Sequence, residues 1–75
     1  MQKYRNLNGD SNVVCYLIAE DAITIQFNDG VNYRYSNSSA GILNIMEMKR
    51  LAELGRGLNG FINRRVKKMY DSKWR

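Results

Sequence analysis

The chain has 75 residues, 12 of them Lys or Arg against 7 Asp or Glu, for a net charge of +5, with one Cys and no His. That length makes one small domain, able to bury roughly 60% of its unfolded surface, so local packing or self-association must supply the stability. A single Cys excludes an internal disulfide, the lack of His excludes a Cys/His zinc site, and no apolar run approaches the length of a membrane span. A reduced thiol, without a basic start followed by an apolar core, predicts a cytoplasmic protein.

Residues 1–12 are polar, with Asn6, Asn8, Gly9, Asp10, Ser11 and Asn12 crowded together, and read as an N-terminal loop. Residues 13–75 read as a single domain. Val13 to Ile18 is a continuous run of strand formers, which predicts a strand largely covered on both faces. Cys15 lies inside it and reads as a buried small hydrophobe, since a thiol nucleophile needs a base. After a short connection, Ile23, Ile25 and Phe27 alternate with Thr24, Gln26 and Asn28, the pattern of a half-buried strand. Asn28-Asp29-Gly30 is a hairpin signal, because glycine accepts the positive φ of a tight turn. The third strand places Val31, Tyr33 and Tyr35 on one face and Asn32 and Arg34 on the other. On that spacing Tyr33 and Tyr35 read as core. If the opposite face is open, Thr24, Gln26 and Arg34 make it polar, without the aromatics of a nucleic-acid sheet reader.

Ser38 or Ser39 is the expected cap of a helix from about Ala40 to Leu54. Its apolar residues, Ile42, Leu43, Ile45, Met46, Met48, Leu51 and Leu54, spread over most of the circumference. Such a helix is either wedged between the sheet and a further helix or free to meet another subunit. Gly55 should stop it. A second helix is expected from Gly57 to Tyr70. At 100° per residue, Leu58, Phe61, Ile62, Val66 and Met69 fall on one side and Arg64, Arg65, Lys67 and Lys68 on the other. The last five residues form a tail whose Trp74 folds back onto the domain. The expected fold class is α+β: a three-stranded antiparallel β-meander followed by two α-helices packed on one face.

The charge is lopsided. Through Gly55 the basic and acidic residues nearly cancel, at a net −1; from Arg56 onward seven basic residues face Asp71 alone, a net +6, and the two sums give the total of +5. A basic third on a balanced domain suggests an anionic partner, or else a solvated face that keeps a small protein soluble.

Two motifs carry a resemblance. Phe27, Gly30, Tyr33 and Tyr35 give F-x-x-G-x-x-Y-x-Y, and Phe61-Ile62-Asn63-Arg64-Arg65-Val66-Lys67 leads to Tyr70. In order and joined by a helix, they resemble the KTSC domain, a small module named for the C-terminus of some lysyl-tRNA synthetases and also found alone in short bacterial and phage proteins. The resemblance covers Asn12 to Tyr70. The chain departs from the common form in lacking a Val-Pro start to the first helix and in a longer path to the Asn-Arg segment. It looks like the short stand-alone variant, so a role in tRNA charging is not carried over. The resemblance implies the fold and, at most, a role in nucleic-acid binding.

The residues offer no catalytic set. Glu47 and Glu53 are off a shared face, and no carboxylates have metal-ligand spacing. Gly55-x-Gly57-x-x-Gly60 matches a dinucleotide-binding pattern but lies between two helices, so it reads as a helix stop and interhelical turn. Its amide groups and Arg56 could still hold an anion. Asn63 borders the apolar and basic faces, as a structural amide bonded to nearby backbone or as a contact to a base or phosphate. The expected function is therefore non-enzymatic, with no cofactor. The first reading is binding of RNA or DNA through Arg56, Asn63, Arg64, Arg65, Lys67 and Lys68. The second is a small homo-oligomer that binds a nucleotide-like anion at the glycine turn, with Arg56 and Arg64 as clamps, and the third is a protein-interaction module.

Overall fold

The computed structural model describes residues 1–75. Its strands are β1 (Gln2–Lys3), β2 (Val13–Ala19), β3 (Ala22–Phe27), β4 (Asn32–Ser36) and β5 (Ser72–Trp74). They form one antiparallel sheet in that order. The helices are α1 (Asn37–Ala40), α2 (Ile42–Leu54) and α3 (Leu58–Phe61), the last running straight into a π-helical turn, Ile62–Val66. The class is α+β, as the sequence implies, but the sheet has five strands instead of three. The central meander β2–β3–β4 is the expected one. An edge strand is added on each side, one from the expected N-terminal loop and one from the tail.

Residues paired directly across antiparallel strands share a face. Tyr16, Ile25, Tyr33 and Lys73 line up across the sheet, as do Ile18, Ile23 and Tyr35. These rows face the helices, and Ile23, Ile25 and Tyr35 are fully buried beside Ile45, Met48, Leu58 and Val66. The opposite face carries Cys15, Gln26, Asn32 and Trp74 in one row and Leu17, Thr24, Arg34 and Ser72 in the next. No helix covers it.

β2 corrects the expectation of a doubly covered strand. Its register shifts between Val13 and Cys15, which makes Val14 an extra, bulged residue. The bulge lets Val13 and Tyr16, three apart, both face the helices. Val14, Leu17 and Ile18 are left exposed. Cys15 is half-buried and not a core residue, its thiol 3.1 Å from the Gln26 side-chain oxygen.

The N-terminal segment is tied down. The Tyr4 N–H donates to the Val14 carbonyl at 2.9 Å, and the Tyr4 side chain joins the core. The Arg5 guanidinium donates to the Glu53 and Leu54 carbonyls, satisfying the C-terminal end of α2. Gly55 follows at φ 90°, and a Cβ there would lie 2.9 Å from that of Arg5. Helix stop and N-terminal strand are therefore one joint.

The first helical region starts earlier than expected and is broken. Ser36, not Ser38 or Ser39, is the cap: its hydroxyl accepts from the Ser39 N–H, and the Ser39 hydroxyl accepts from the Ser36 N–H. Gly41, at φ 92°, separates α1 from α2. α2 buries Ile45, Met48, Leu51 and Ala52 and packs against both the sheet and the last helix, as the wedged reading expects, while Ile42, Leu43 and Met46 stand in solvent.

The last helix also departs from ideal periodicity. Leu58, Ile62 and Val66 are buried, while Phe61 is half-buried and Met69 is 45% exposed. The buried residues repeat every four positions. The wider π turn keeps such a row pointing at the core, whereas a 3.6-residue helix would swing it sideways. β5 then docks on β4 through the Arg34–Asp71 ion pair and the Asp71 N–H to Arg34 carbonyl bond at 2.7 Å. Trp74 comes back onto the sheet as expected, though as a strand residue on its open face.

Burial predicts a sharp contrast between two leucines. Leu58→Ala should lower stability by about 2–5 kcal/mol, since its side chain is wholly enclosed. Leu43→Ala, at a residue 77% exposed, should change it by less than about 0.5 kcal/mol. Urea denaturation of both variants checks the assignment, and equal losses would contradict it.

Candidate functional site

The π turn and the β3–β4 hairpin face each other across a cleft of about 360 Å³. Phe27, Tyr33, Tyr35 and Tyr70 form its apolar side, with Asn12 and Asn28 at the hairpin lip and Asn63, Lys67 and Lys68 along the helical lip. The rings pack edge to face. Phe27 and Tyr33 have centroids 5.4 Å apart at 89°, and Tyr33 and Tyr70 are 5.0 Å apart at 75°. The Lys73 ammonium sits 5.9 Å from the Tyr33 ring centre and 5.8 Å from that of Tyr70.

The polar groups of this cleft are unevenly satisfied. Asn28 is fixed, its side-chain amide donating to the Asn12 side-chain oxygen at 3.2 Å and its backbone N–H donating to the Asn12 carbonyl at 2.8 Å. Asp29, the one carboxylate on the lining, accepts from the Val31 N–H at 3.0 Å. Asn63 is exposed and its side chain bonds nothing else in the protein, so it is not the structural amide considered above. Tyr35 is 1% exposed, and its hydroxyl has no protein partner. Burial, with the neighbouring phenols of Tyr33 and Tyr70, pushes that hydroxyl's pKa well above the usual tyrosine value.

The six residues singled out in the sequence do not form one site. Asn63, Lys67 and Lys68 meet at the aromatic cleft. Arg56 lies in a second cleft of about 270 Å³, with Asn6, Asn8, Asp10, Gly57 and Asn59. Arg64 lies back along the helix, its guanidinium against Gly60, which also lines that second cleft. Arg65 is exposed and lines neither. The glycine turn is poor as an anion cradle. The Leu58 N–H is already directed at the Tyr4 hydroxyl, at 3.4 Å, and Asp10 adds a negative charge to the cleft.

The basic residues of the C-terminal third have no acidic partners. The three ion pairs of the protein are Arg34–Asp21, Arg34–Asp71 and Arg50–Glu47. Asp71, the single acid of that third, is held by Arg34, so Arg64, Arg65, Lys67, Lys68 and Lys73 keep their full charge toward solvent. No three His, Cys, Asp or Glu side chains converge to hold a metal ion, and no helix is long and apolar enough to cross a membrane.

The part played by the aromatics was missed in the sequence. Tyr35 is core, as its spacing implies, but Tyr33 is half-buried and, like Phe27 and Tyr70, opens onto the cleft. The open sheet face likewise carries an aromatic, Trp74, which a five-residue tail did not advertise. No family model matches the chain, nor does any curated protein or solved structure. The KTSC-like pattern therefore rests on its own residues, of which Phe27, Tyr33, Tyr35, Asn63 and Tyr70 line the one cleft.

Asp71 gives a pH test of how the tail is held. Partial desolvation raises its pKa, but hydrogen bonds and the Arg34 charge lower it by more, so the net shift is downward from the ordinary 3.8. A depressed carboxyl stabilises the fold above its unfolded pKa and loses that contribution as pH falls through the folded one. β5 should therefore loosen below about pH 4. Trp74 emission should shift to the red over that range, and Asp71→Asn should show the shift already at pH 7. Emission that stays constant until the whole chain unfolds would contradict this role.

Proposed function

We propose that the domain binds nucleic acid, RNA or DNA, by neutralising backbone phosphates with Arg64, Arg65, Lys67 and Lys68. One observation carries the reading: these four cations are solvent-exposed and none has an ion-pair partner. Cations that serve only as structural salt bridges would be paired, as Arg34 and Arg50 are. Affinity built this way comes from counterion release, so it is strong at low salt and largely indifferent to sequence. The KTSC-like motifs point the same way. The proposed chemistry is binding alone, without a cofactor.

A second reading rests on α2. Ile42, Leu43 and Met46 are an exposed apolar group on one helix, and they favour a protein contact, including one with a second copy of the chain. A compact anion at the glycine turn is disfavoured by Asp10 and by the engaged Leu58 amide.

Replacing Arg64, Lys67 and Lys68 together by Gln keeps long polar side chains and should leave the melting temperature nearly unchanged. Affinity for any single-stranded oligonucleotide should fall. The slope of log affinity against log salt should become shallower by about 0.7 unit per lost contact. Arg56→Gln should do less. Unaltered binding, or self-association that persists at high salt with no nucleic-acid binding, would overturn the proposal and favour the second reading.

A further inference from the structure

We propose that the aromatic cleft between the β3–β4 hairpin and the π turn receives one unpaired nucleobase, with the adjoining phosphate held by Lys67 and Lys68. The inference rests on the nucleic-acid reading and adds to it a single-strand preference and a defined base site.

Four observations converge on this cleft. Its volume, about 360 Å³, lies in the range of small-molecule sites, roughly 300–1,000 Å³. Its apolar side is aromatic: Phe27, Tyr33 and Tyr70 are each only half-buried, which leaves part of each ring free for a flat partner. Base-on-aromatic stacking tolerates any base, because every base has a π face. Its polar groups have the chemistry of a base edge. The Asn63 amide is exposed and unpaired, and the Tyr35 hydroxyl, also without a protein partner, is not sealed off from the cleft, since Asn37 Oδ1 is the one buried side-chain polar atom that lacks a bond.

Charge is the fourth observation. Lys67 and Lys68 stand on the helical lip and Lys73 beside the Tyr33 and Tyr70 rings, against the single carboxylate of Asp29, which is engaged at the hairpin. A neutral aromatic ligand would not use that excess of positive charge, and an inorganic anion would not use the rings. A nucleotide uses both. A base in a duplex is stacked and paired, so only a single strand, a loop or a strand end can offer it. The π turn is what aims Asn63 and Lys67 at the cleft, and such turns occur often at functional sites.

The test compares a single-stranded DNA decamer with an abasic strand of the same length and charge, by fluorescence anisotropy at fixed salt. The intact strand should bind about tenfold or more tightly than the abasic one. Asn63→Leu, which fills the cleft mouth without changing a charge, should bring the ratio of the two affinities close to one. Equal binding of the two strands by the unaltered protein would overturn the base site and leave the phosphate reading standing. Saturable binding of a mononucleotide without binding of either strand would keep the base site and remove the phosphate reading. Binding of none of the three would overturn both.

Discussion

The placing of the basic face depends on how three side chains, Leu58, Ile62 and Val66, are buried at intervals of four. All three are enclosed by the sheet and α2, and the row they form fixes the rotation of the last helix. With that rotation fixed, Asn63 and Lys67, the residues that follow Ile62 and Val66, stand at the edge of the core and turn toward the β3–β4 hairpin. Arg64 and Arg65 fall on the outer side. A regular 3.6-residue helix would bury Phe61 and Met69 more deeply and rotate the lysines away from the aromatic rings. The π turn loses some backbone regularity, and the core row that it permits offsets that cost.

The hairpin supplies the other wall, and its rings are held by one another as much as by the helices. Tyr33 touches Phe27, Tyr35 and Tyr70, so the cleft wall is continuous with the core at Tyr35 and open to solvent at the other rings. β5 closes the arrangement. The Arg34–Asp71 pair brings the chain back beside β4, which neutralises the only acid of the basic third and sets Lys73 next to the rings. One ion pair thus has two effects: it docks a strand, and it leaves the surrounding cations uncompensated.

Much of this was legible in the sequence where a pattern was long or chemically sharp. The meander followed from the alternation at Ile23, Ile25 and Phe27, the Asn28-Asp29-Gly30 turn, and the Val31, Tyr33, Tyr35 spacing. The helix ending at Gly55 followed from its apolar content and the glycine stop. The missed elements are those fixed by contacts distant in the chain. β1 is two residues held by pairing with β2 and by Tyr4 in the core, and β5 is three residues held by Arg34; neither has a local signal. The apolar run at Val13 to Ile18 concealed a bulge, because periodicity alone does not show where a strand adds a residue. Of the site, Asn63, Lys67 and Lys68 were visible as a basic border. Their separation from Arg56, and the half-exposure of Phe27, Tyr33 and Tyr70 beside them, depend on the π turn, which a 100° projection does not represent.

The central claim is a place: one cleft between hairpin and π turn, with phosphate-binding cations on its helical lip. Amide chemical-shift mapping of the labelled protein, titrated with a short single-stranded oligonucleotide, tests it most directly. The account predicts that the largest shifts cluster at Asn28, Asp29, Asn63, Lys67 and Lys68, with smaller ones at Arg64, Arg65 and Lys73, while Asn8, Arg56 and Asn59 of the second cleft stay nearly still. Shifts centred on Ile42, Leu43 and Met46, on the second cleft, or nowhere at saturating oligonucleotide would contradict it.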